Sequence, residues 1–366
     1  MVTEADLREL SELNAPERAF LSVYLRGPQS VPALEGTLNR LRKSLSSEGP
    51  ERSEREHFDQ NVSTLRKYLK ENPLEKGSLC VFVCWALDYL KAIPLAGPIE
   101  DFVCIDSSPF VRPLAEFLDE YENVAVVVAD NKKARIFLVA SKIAGSEEQI
   151  AGNVKNHVRK GGWSQQRYER RRDKELLLYA REIVEALERL SKQARFRRVL
   201  LVGGKEILNV IRENLPDHLA RITMNPKAFD LGKGTKALEA EIWELFFEEE
   251  RRSEKELWEK IRGEYLRGGL GVAGLVGVLK AAEAGRAEAV VVERDLRVAG
   301  SRCRNCGRLH PYEVQRCEGC GSTSVFAVEL VNEICELISR TGGTVDFVDP
   351  IASLAEAGRI AALLRY

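Results

Sequence analysis

The stretch GVLKAAEAGRAEAVVVERDL, residues 277–296, joins a helix pattern directly to a strand pattern. Its first half is rich in alanine and ends at Gly285, as helices often do. Its second half contains the apolar, β-branched run of a buried strand. Helix and strand in direct succession are typical of an α/β layer fold, and VFAVELVNEICELISRTG and TVDFVDP continue the alternation downstream.

Two cysteine pairs interrupt this alternation, CRNC at 303–306 and CEGC at 317–320, each followed by glycine. Thiolates two residues apart can face one tetrahedral ion, and the glycine lets the backbone turn around it. Because disulfides are rare in reducing compartments, we expect a structural Zn²⁺ with no open coordination position. Its ligands would be Cys303, Cys306, Cys317 and Cys320. The other cysteines, Cys80, Cys84, Cys104 and Cys335, lie in apolar context and are predicted to be buried thiols.

The remaining patterns divide the 366-residue chain, which is too long for one core, into three α/β domains. The first, 1–121, has the strand runs FLSVYL and SLCVFVCW and two helices joined by SSEGPERSE. The second, 122–235, has a hairpin around Asp130 and a long helix followed by a βα unit. That helix has one apolar stripe, formed by Leu176, Ala180, Ile183, Leu187 and Leu190. The third, 236–366, contains the cysteine insertion.

Composition excludes a membrane protein and a generally basic one. The longest apolar runs, such as VAVVV at 124–128, are far shorter than the ~20 residues of a bilayer span. The start, MVTEADLREL, lacks the pattern of a signal peptide, so we expect a cytoplasmic protein. With a net charge of −1, any contact with nucleic acid must come from a local basic patch.

Such a patch is HVRKGGWSQQRYERRRDK, residues 157–174, where seven basic residues from Arg159 to Lys174 outnumber two acidic ones. Paired glycines let a backbone approach a ligand closely. An aromatic ring, side-chain amides and arginines suit folded RNA, where bases stack on rings and guanidinium groups meet phosphates. A solvated turn followed by a charged helix face is the simpler alternative.

This patch resembles the loop and following helix of the middle domain in archaeal and eukaryotic class I peptide-chain release factors. The Gly-Gly-Gln tip of that loop enters the peptidyl-transferase centre. The segments GSLCVFVC, FVCIDSSPF, the hairpin at 123–139, the stretch at 277–296 and the ending GRIAALLRY follow the family's order. The resemblance implies the release factor and Pelota-like superfamily, with a three-domain α/β architecture and a zinc-ribbon insertion in the third domain.

The chain departs from the release factors at two positions. Aligned without a gap, Trp163 stands where the family has its glutamine, whereas Gly162-Trp163-Ser164-Gln165 is similar to the Gly-x-x-Gln loop of Vms-type rescue peptidyl-tRNA hydrolases. The first domain has no Asn-Ile-Lys-Ser tip between its two helices, so stop-codon reading by that motif is not expected.

The resemblance therefore implies a codon-independent peptidyl-tRNA hydrolase of ribosome rescue and ribosome-associated quality control. Gly161 and Gly162 would allow approach to the peptidyl-transferase centre of the large subunit, and Gln165 would position water against the peptidyl-tRNA ester. Contacts to ribosomal or transfer RNA would come from Arg159, Lys160, Trp163, Gln166, Arg167, Arg170, Arg171 and Arg172. A non-catalytic ribosome-binding factor of the hibernation or Pelota type is the alternative, and delivery by a translational GTPase is left open.

Overall fold

The computed structural model describes residues 2–15, 17–45, 52–95, 97–120, 123–140, 143–151, 163–193, 196, 198–228 and 235–366. Side chains are described for these residues except 123, 138–140, 143–151, 163–169, 193, 227–228, 235–247 and 249–250. The chain forms two compact units, one made of Met1–Glu120 with Ser253–Tyr366 and the other of Tyr121–Arg252. The first and third predicted domains thus lie in one unit, and the three-domain division stays a prediction.

The N-terminal part of the first unit is a four-stranded antiparallel sheet in the order β3-β2-β1-β4. Its strands are β1 Phe20–Leu25, β2 Ser78–Cys84, β3 Tyr89–Leu95 and β4 Phe102–Asp106. Its helices are α1 Glu4–Glu12, α2 Val31–Ser44, α3 Arg52–Glu71 and α4 Arg112–Glu120. Apolar residues of α2 and α3 pack on one face of the sheet, around Phe58 and Leu38. The two predicted helices are therefore confirmed, and the segment that joins them lies outside the described residues.

The second unit has a five-stranded sheet in the order β7-β6-β5-β8-β9. It contains β5 Asn123–Ala129, β6 Lys133–Ala140, β7 Ile143–Ala151, α5 Trp163–Gln193, β8 Arg198–Gly203, α6 Lys205–Glu213, α7 Asp217–Ala220 and β9 Lys227–Ala228. Strands β5 and β6 form the predicted hairpin, and β8 runs parallel to β5. The predicted apolar stripe of α5 packs on this sheet, because Leu176, Ala180, Ile183 and Leu187 are buried in its core.

The C-terminal part begins in the long helix α8 Thr235–Leu266. It continues with β10 Gly271–Ala273, α9 Leu275–Glu283, β11 Ala287–Glu293, β12 Ala299–Cys303, β13 Leu309–His310, β14 Val325–Glu329, α10 Leu330–Arg340, β15 Thr344–Val348, α11 Ala352–Glu356 and β16 Ile360–Leu364. A mixed sheet has the order β10-β16-β11-β15, and β13-β12-β14 form a separate antiparallel sheet. We call residues 299–329 the cysteine ribbon.

The stretch at 277–296 folds as its sequence predicts, with α9 followed directly by β11. The apolar tail becomes β16, which pairs with both β10 and β11 at the centre of the mixed sheet. Of the thiols predicted to be buried, Cys80, Cys84 and Cys335 are buried and Cys104 is half-buried. Within the part of the chain that the structure describes, no helix is long and apolar enough to span a bilayer.

Candidate functional site

The predicted catalytic loop lies largely outside the described residues, as do Arg159, Lys160, Gly161 and Gly162. The described chain resumes at Trp163, which is the first residue of the 31-residue helix α5. Gln165, Gln166 and Arg167 therefore belong to the first turns of a helix, and their side chains are not described. The two glycines consequently come directly before the start of α5 in the chain.

The arginines that follow in α5 differ in exposure. Arg170 and Arg171 are exposed, and Arg171 makes an ion pair of 3.1 Å with Glu175 one turn further along the helix. A pair of this kind on an exposed helix face contributes ~0.5 kcal/mol or less. The guanidinium groups of Arg170 and Arg171 can therefore bind a phosphate at little cost in free energy, because both are exposed and the ion pair of Arg171 is weak.

Arg172, which is predicted to contact RNA phosphate, differs from Arg170 and Arg171 in its environment. It is only 6% exposed, and its guanidinium group pairs with Glu206 in the first turn of α6. The side-chain amide of Asn131 donates a second hydrogen bond of 3.3 Å to the same carboxylate. Arg172 lies four residues before Leu176 and eight before Ala180, so it continues the buried stripe of α5. That periodicity is the signal in the sequence that places it on the inner face.

The sulfur atoms of the four ribbon cysteines lie close together. The Sγ atoms of Cys303 and Cys320 are 3.5 Å apart, as are those of Cys306 and Cys317, and all four lie within 4.8 Å of one another. A tetrahedral ion with metal–sulfur bonds of ~2.3 Å would need sulfur–sulfur distances of about 3.8 Å. The arrangement is therefore compatible with a metal site.

The glycines after each cysteine pair have the backbone conformation that the sequence predicts. Gly307 and Gly321 have φ angles of 73° and 72°, a left-handed conformation that other residues adopt at a cost. Their N–H groups donate hydrogen bonds of 2.9 Å to the carbonyls of Cys303 and Cys317. Each hydrogen bond closes a knuckle, which is the tight turn formed by one cysteine pair and the glycine after it. The two tight turns bring both cysteines of each pair to the same point.

Backbone hydrogen bonds favour the thiolate form at Cys317. The N–H of Cys320 lowers the pKa of the Cys317 thiol to about 5, and the N–H of Gly319 donates to the same sulfur over 3.3 Å. The side chain of His310, only 2% exposed, also lowers the pKa of this thiol. Since the thiolate is the form that binds metal, these donors prepare the site for a cation.

A buried polar cluster, which the sequence patterns described above do not predict, joins the N-terminal and C-terminal parts of the first unit. On α10, Asn332, Glu333 and Glu336 are fully buried. Their spacing of three and four residues puts them on one face of a helix that is mostly apolar, and this spacing is the signal in the sequence that could have found them. Their partners lie at residues 107–112 and in the cysteine ribbon, as described below.

The fold and these sites describe a mixed α/β protein with a basic helix start in one unit and a cysteine ribbon in the other. Comparison with known proteins shows which proteins this chain is similar to. Residues 109–251 match the model of the bacterial archaeo-eukaryotic release factor family 10. The chain is 24% identical to peptide chain release factor subunit 1 of Methanocaldococcus jannaschii, over 98% of this chain and 96% of that protein.

A second relative is peptide chain release factor subunit 1 of Archaeoglobus fulgidus, 26% identical over 75% of this chain and 72% of that protein. Among solved structures, the S. cerevisiae translation termination-like factor Dom34 is similar with 13% identity and a TM-score of 0.42, over 81% of this chain and 76% of that one. The family model and the release factor relatives confirm the resemblance seen in the sequence. The chain is thus similar to archaeal release factors over most of its length and to a bacterial release factor family over residues 109–251.

Proposed function

We propose that this protein is a ribosome-rescue factor that hydrolyses the ester bond of peptidyl-tRNA without reading a codon. Its substrate would be the nascent chain on a stalled ribosome or a large subunit. The relation to peptide chain release factors supports a role in translation. The observation that carries the proposal is the start of α5 at Trp163, directly after paired glycines and within one turn of Gln165.

The start of a helix supplies groups that suit ester hydrolysis. The first N–H groups of any α-helix have no intrahelical acceptor, and they lie at the positive end of the helix dipole. In α5 these belong to Trp163, Ser164 and Gln165, and they could donate to the oxyanion that develops on the attacked carbonyl. The side chain of Gln165 is uncharged and cannot act as a strong base, so its role is to orient water. Gly161 and Gly162 would let the backbone reach the ester.

Contacts to RNA would come from the basic residues around this helix start. Arg170 and Arg171 are exposed one to two turns beyond Gln165, about 8–9 Å further along the helix axis, and can bind phosphate. Arg159, Lys160 and Arg167 are proposed for the same role on sequence grounds, and Trp163 and Gln166 for contacts to bases. Arg172 is left out because it pairs with Glu206 inside the protein.

The proposal includes one structural Zn²⁺ bound by the four ribbon cysteines. The sulfur–sulfur distances of 3.5 Å and the backbone donors at Cys317 support it. Elemental analysis of protein purified without added metal should give about one zinc per chain. Cys306→Ser combined with Cys320→Ser should abolish zinc binding, and a well-folded wild type without metal would contradict this part.

The alternative is a ribosome-binding factor without hydrolytic activity. The observation that favours it is Trp163 at the position of the release factor glutamine. The two functions make opposite demands on Gln165, because only a hydrolase needs an amide near the ester.

The test is to incubate the purified protein with stalled ribosome–nascent-chain complexes and to measure free peptide. Gln165→Ala should lower the release rate by about ten- to a thousandfold, the effect of losing ~1.4–4 kcal/mol of transition-state stabilisation, while ribosome binding stays near normal. Arg181→Ala, which changes an exposed residue further along α5, is the control and should release at nearly the wild-type rate. A wild type that binds ribosomes but frees no peptide would favour the binding factor, and normal release by Gln165→Ala would refute the role of that residue.

A further inference from the structure

The first cysteine of the ribbon lies between two arginines that contact buried carboxylates. Before Cys303, Arg302 pairs with Glu333 of α10 and donates a hydrogen bond of 3.3 Å to Ser107 Oγ in the N-terminal part. After it, Arg304 pairs with Glu54 of α3. The residue that could hold a metal is therefore flanked on both sides by links to other elements of the first unit.

The link from Arg304 to α3 is an ion pair with a buried acid. Glu54 is only 1% exposed, although it lies in the first turn of a helix whose other charged residues face solvent. Its second cationic neighbour, Arg18, is more distant at 3.9 Å. Arg304 is held in place by Phe326, whose ring centroid lies 5.1 Å from the guanidinium carbon. A buried carboxylate without its arginine is costly, so the position of Arg304 bears on the position of α3.

Arg304 depends on the knuckle more directly than Arg302 does. Arg302 lies inside β12 and is paired with Phe326 of β14 in the strand ladder. Arg304 lies within the loop between Cys303 and Cys306, and its N–H donates to the carbonyl of Ser324. The ribbon strands are only two to five residues long, too short to be stable alone, so a bound metal would supply most of the order of this loop.

We propose that metal bound at Cys303, Cys306, Cys317 and Cys320 acts as a latch that holds α3 of the N-terminal part against the cysteine ribbon, through Arg304 and Glu54. Loss of the metal releases α3 and the sheet face it covers. The contacts of the 107–112 segment to α10 remain, because they do not pass through the knuckle: Ser108 Oγ donates to Glu336 over 2.7 Å, and the N–H of Arg112 donates to Asn332 over 3.0 Å. This latch rests on the zinc site proposed above.

Hydrogen–deuterium exchange of the full chain tests the latch, with and without a zinc chelator. Chelation should raise exchange at least about tenfold in α3, Arg52–Glu71, as well as in the ribbon. The variant Arg304→Ala should still bind one zinc per chain. Exchange in its α3 should already be raised in the zinc-bound protein, and chelation should raise exchange in α3 no further. Arg308→Ala removes an exposed arginine from the same ribbon and should behave as wild type.

Strands β5 and β8 of the second unit serve as the internal reference and should stay protected throughout. If chelation deprotects only residues 299–329 and α3 stays protected, the latch is wrong and the zinc site stands. If protection falls equally in both units, the metal is a general stability element and the latch is likewise wrong. A chain that binds no zinc overturns the site and the latch together.

Discussion

Two groups of arginines in this protein look alike in sequence and have opposite environments. In the cysteine ribbon, Arg302 and Arg304 meet the carboxylates of Glu333 and Glu54, which are at most 1% exposed. At the start of α5, Arg170 and Arg171 are exposed, and the acid next to Arg171 is one turn away on the same helix.

The difference shows that the environment of the acid determines what an arginine does. Removing an arginine from a buried carboxylate leaves an unpaired charge, which costs several kcal/mol. Leaving an exposed partner costs less than about 1 kcal/mol. The ribbon arginines are therefore fixed as parts of the structure, whereas those of α5 can bind phosphate. Arg172 lies between the two groups, since its own guanidinium is buried and Glu206 is largely exposed.

The largest effect on stability is expected from Arg302→Ala. It should lower the free energy of unfolding by about 3 kcal/mol, because the buried carboxyl of Glu333, whose pKa is raised by burial, loses the guanidinium group that hydrogen-bonds it. Denaturant unfolding measures this, and adding Glu333→Gln to the same chain should recover part of the loss. If the free energy of unfolding fell by less than about 1 kcal/mol, Arg302 would contribute as little to stability as the exposed arginines of α5, and the proposed difference between the two groups would be wrong.

The buried carboxyl group of Glu336 on α10 makes the free energy of unfolding depend on pH. Burial raises the pKa of Glu336 from 4.5 to about 7, and Ser108, Asn332 and Arg340 contact its carboxyl while Arg302, Asp106 and Glu333 lie near it. The folded protein keeps this proton over a range in which the unfolded chain loses it, so stability falls as pH rises from about 4.5 to 7.

Glu336→Gln should therefore flatten the pH profile of the free energy of unfolding, by ~2 kcal/mol across that range. Unfolding experiments at pH 5, 6 and 7 would show the difference, with the exposed Glu35→Gln as control. An unchanged profile would mean that the carboxyl is ionised in the folded state.

A smaller effect is expected from Arg172→Ala, which tests the intermediate case. Loss of the pair with Glu206 should destabilise the second unit by about 1–2 kcal/mol, less than at Arg302 because Glu206 can reach water. Thermal unfolding of Arg172→Ala beside Arg171→Ala measures the contrast on one helix. Equal melting temperatures of the two variants would show that a buried guanidinium group paired with an exposed acid contributes no more to stability than an exposed one.

The smallest effect on stability is expected from Arg170→Ala with Arg171→Ala, within ~0.5 kcal/mol. If these residues bind phosphate as proposed, ribosome affinity should fall and the slope of log affinity against log salt should decrease by about 1–2. Arg181→Ala, an exposed arginine further along α5, is the control and should leave both quantities unchanged. Unaltered affinity and slope in the double variant would move RNA binding elsewhere.

Much of the fold follows from local patterns. The stripe of α5, the β5–β6 hairpin and the turn glycines of both knuckles depend on residues within one or two turns of each other, so periodicity and spacing predict them. Arg172 could also have been predicted from its spacing to Leu176. The union of the first and third predicted domains in one unit could not, because the ion pair of Arg304 and Glu54 joins residues 250 positions apart.

The sequence by itself determined the resemblance to release factors, the α/β pattern and the four cysteines at one point, because each depends on short-range periodicity or on motif spacing. Only the tertiary structure decided which partner each arginine meets. Consecutive residues of a helix point about 100° apart, so Arg171 faces solvent while Arg172 meets Glu206. Whether a carboxylate is buried depends on the elements that cover it, and for Glu54 and Glu333 these come from distant parts of the chain.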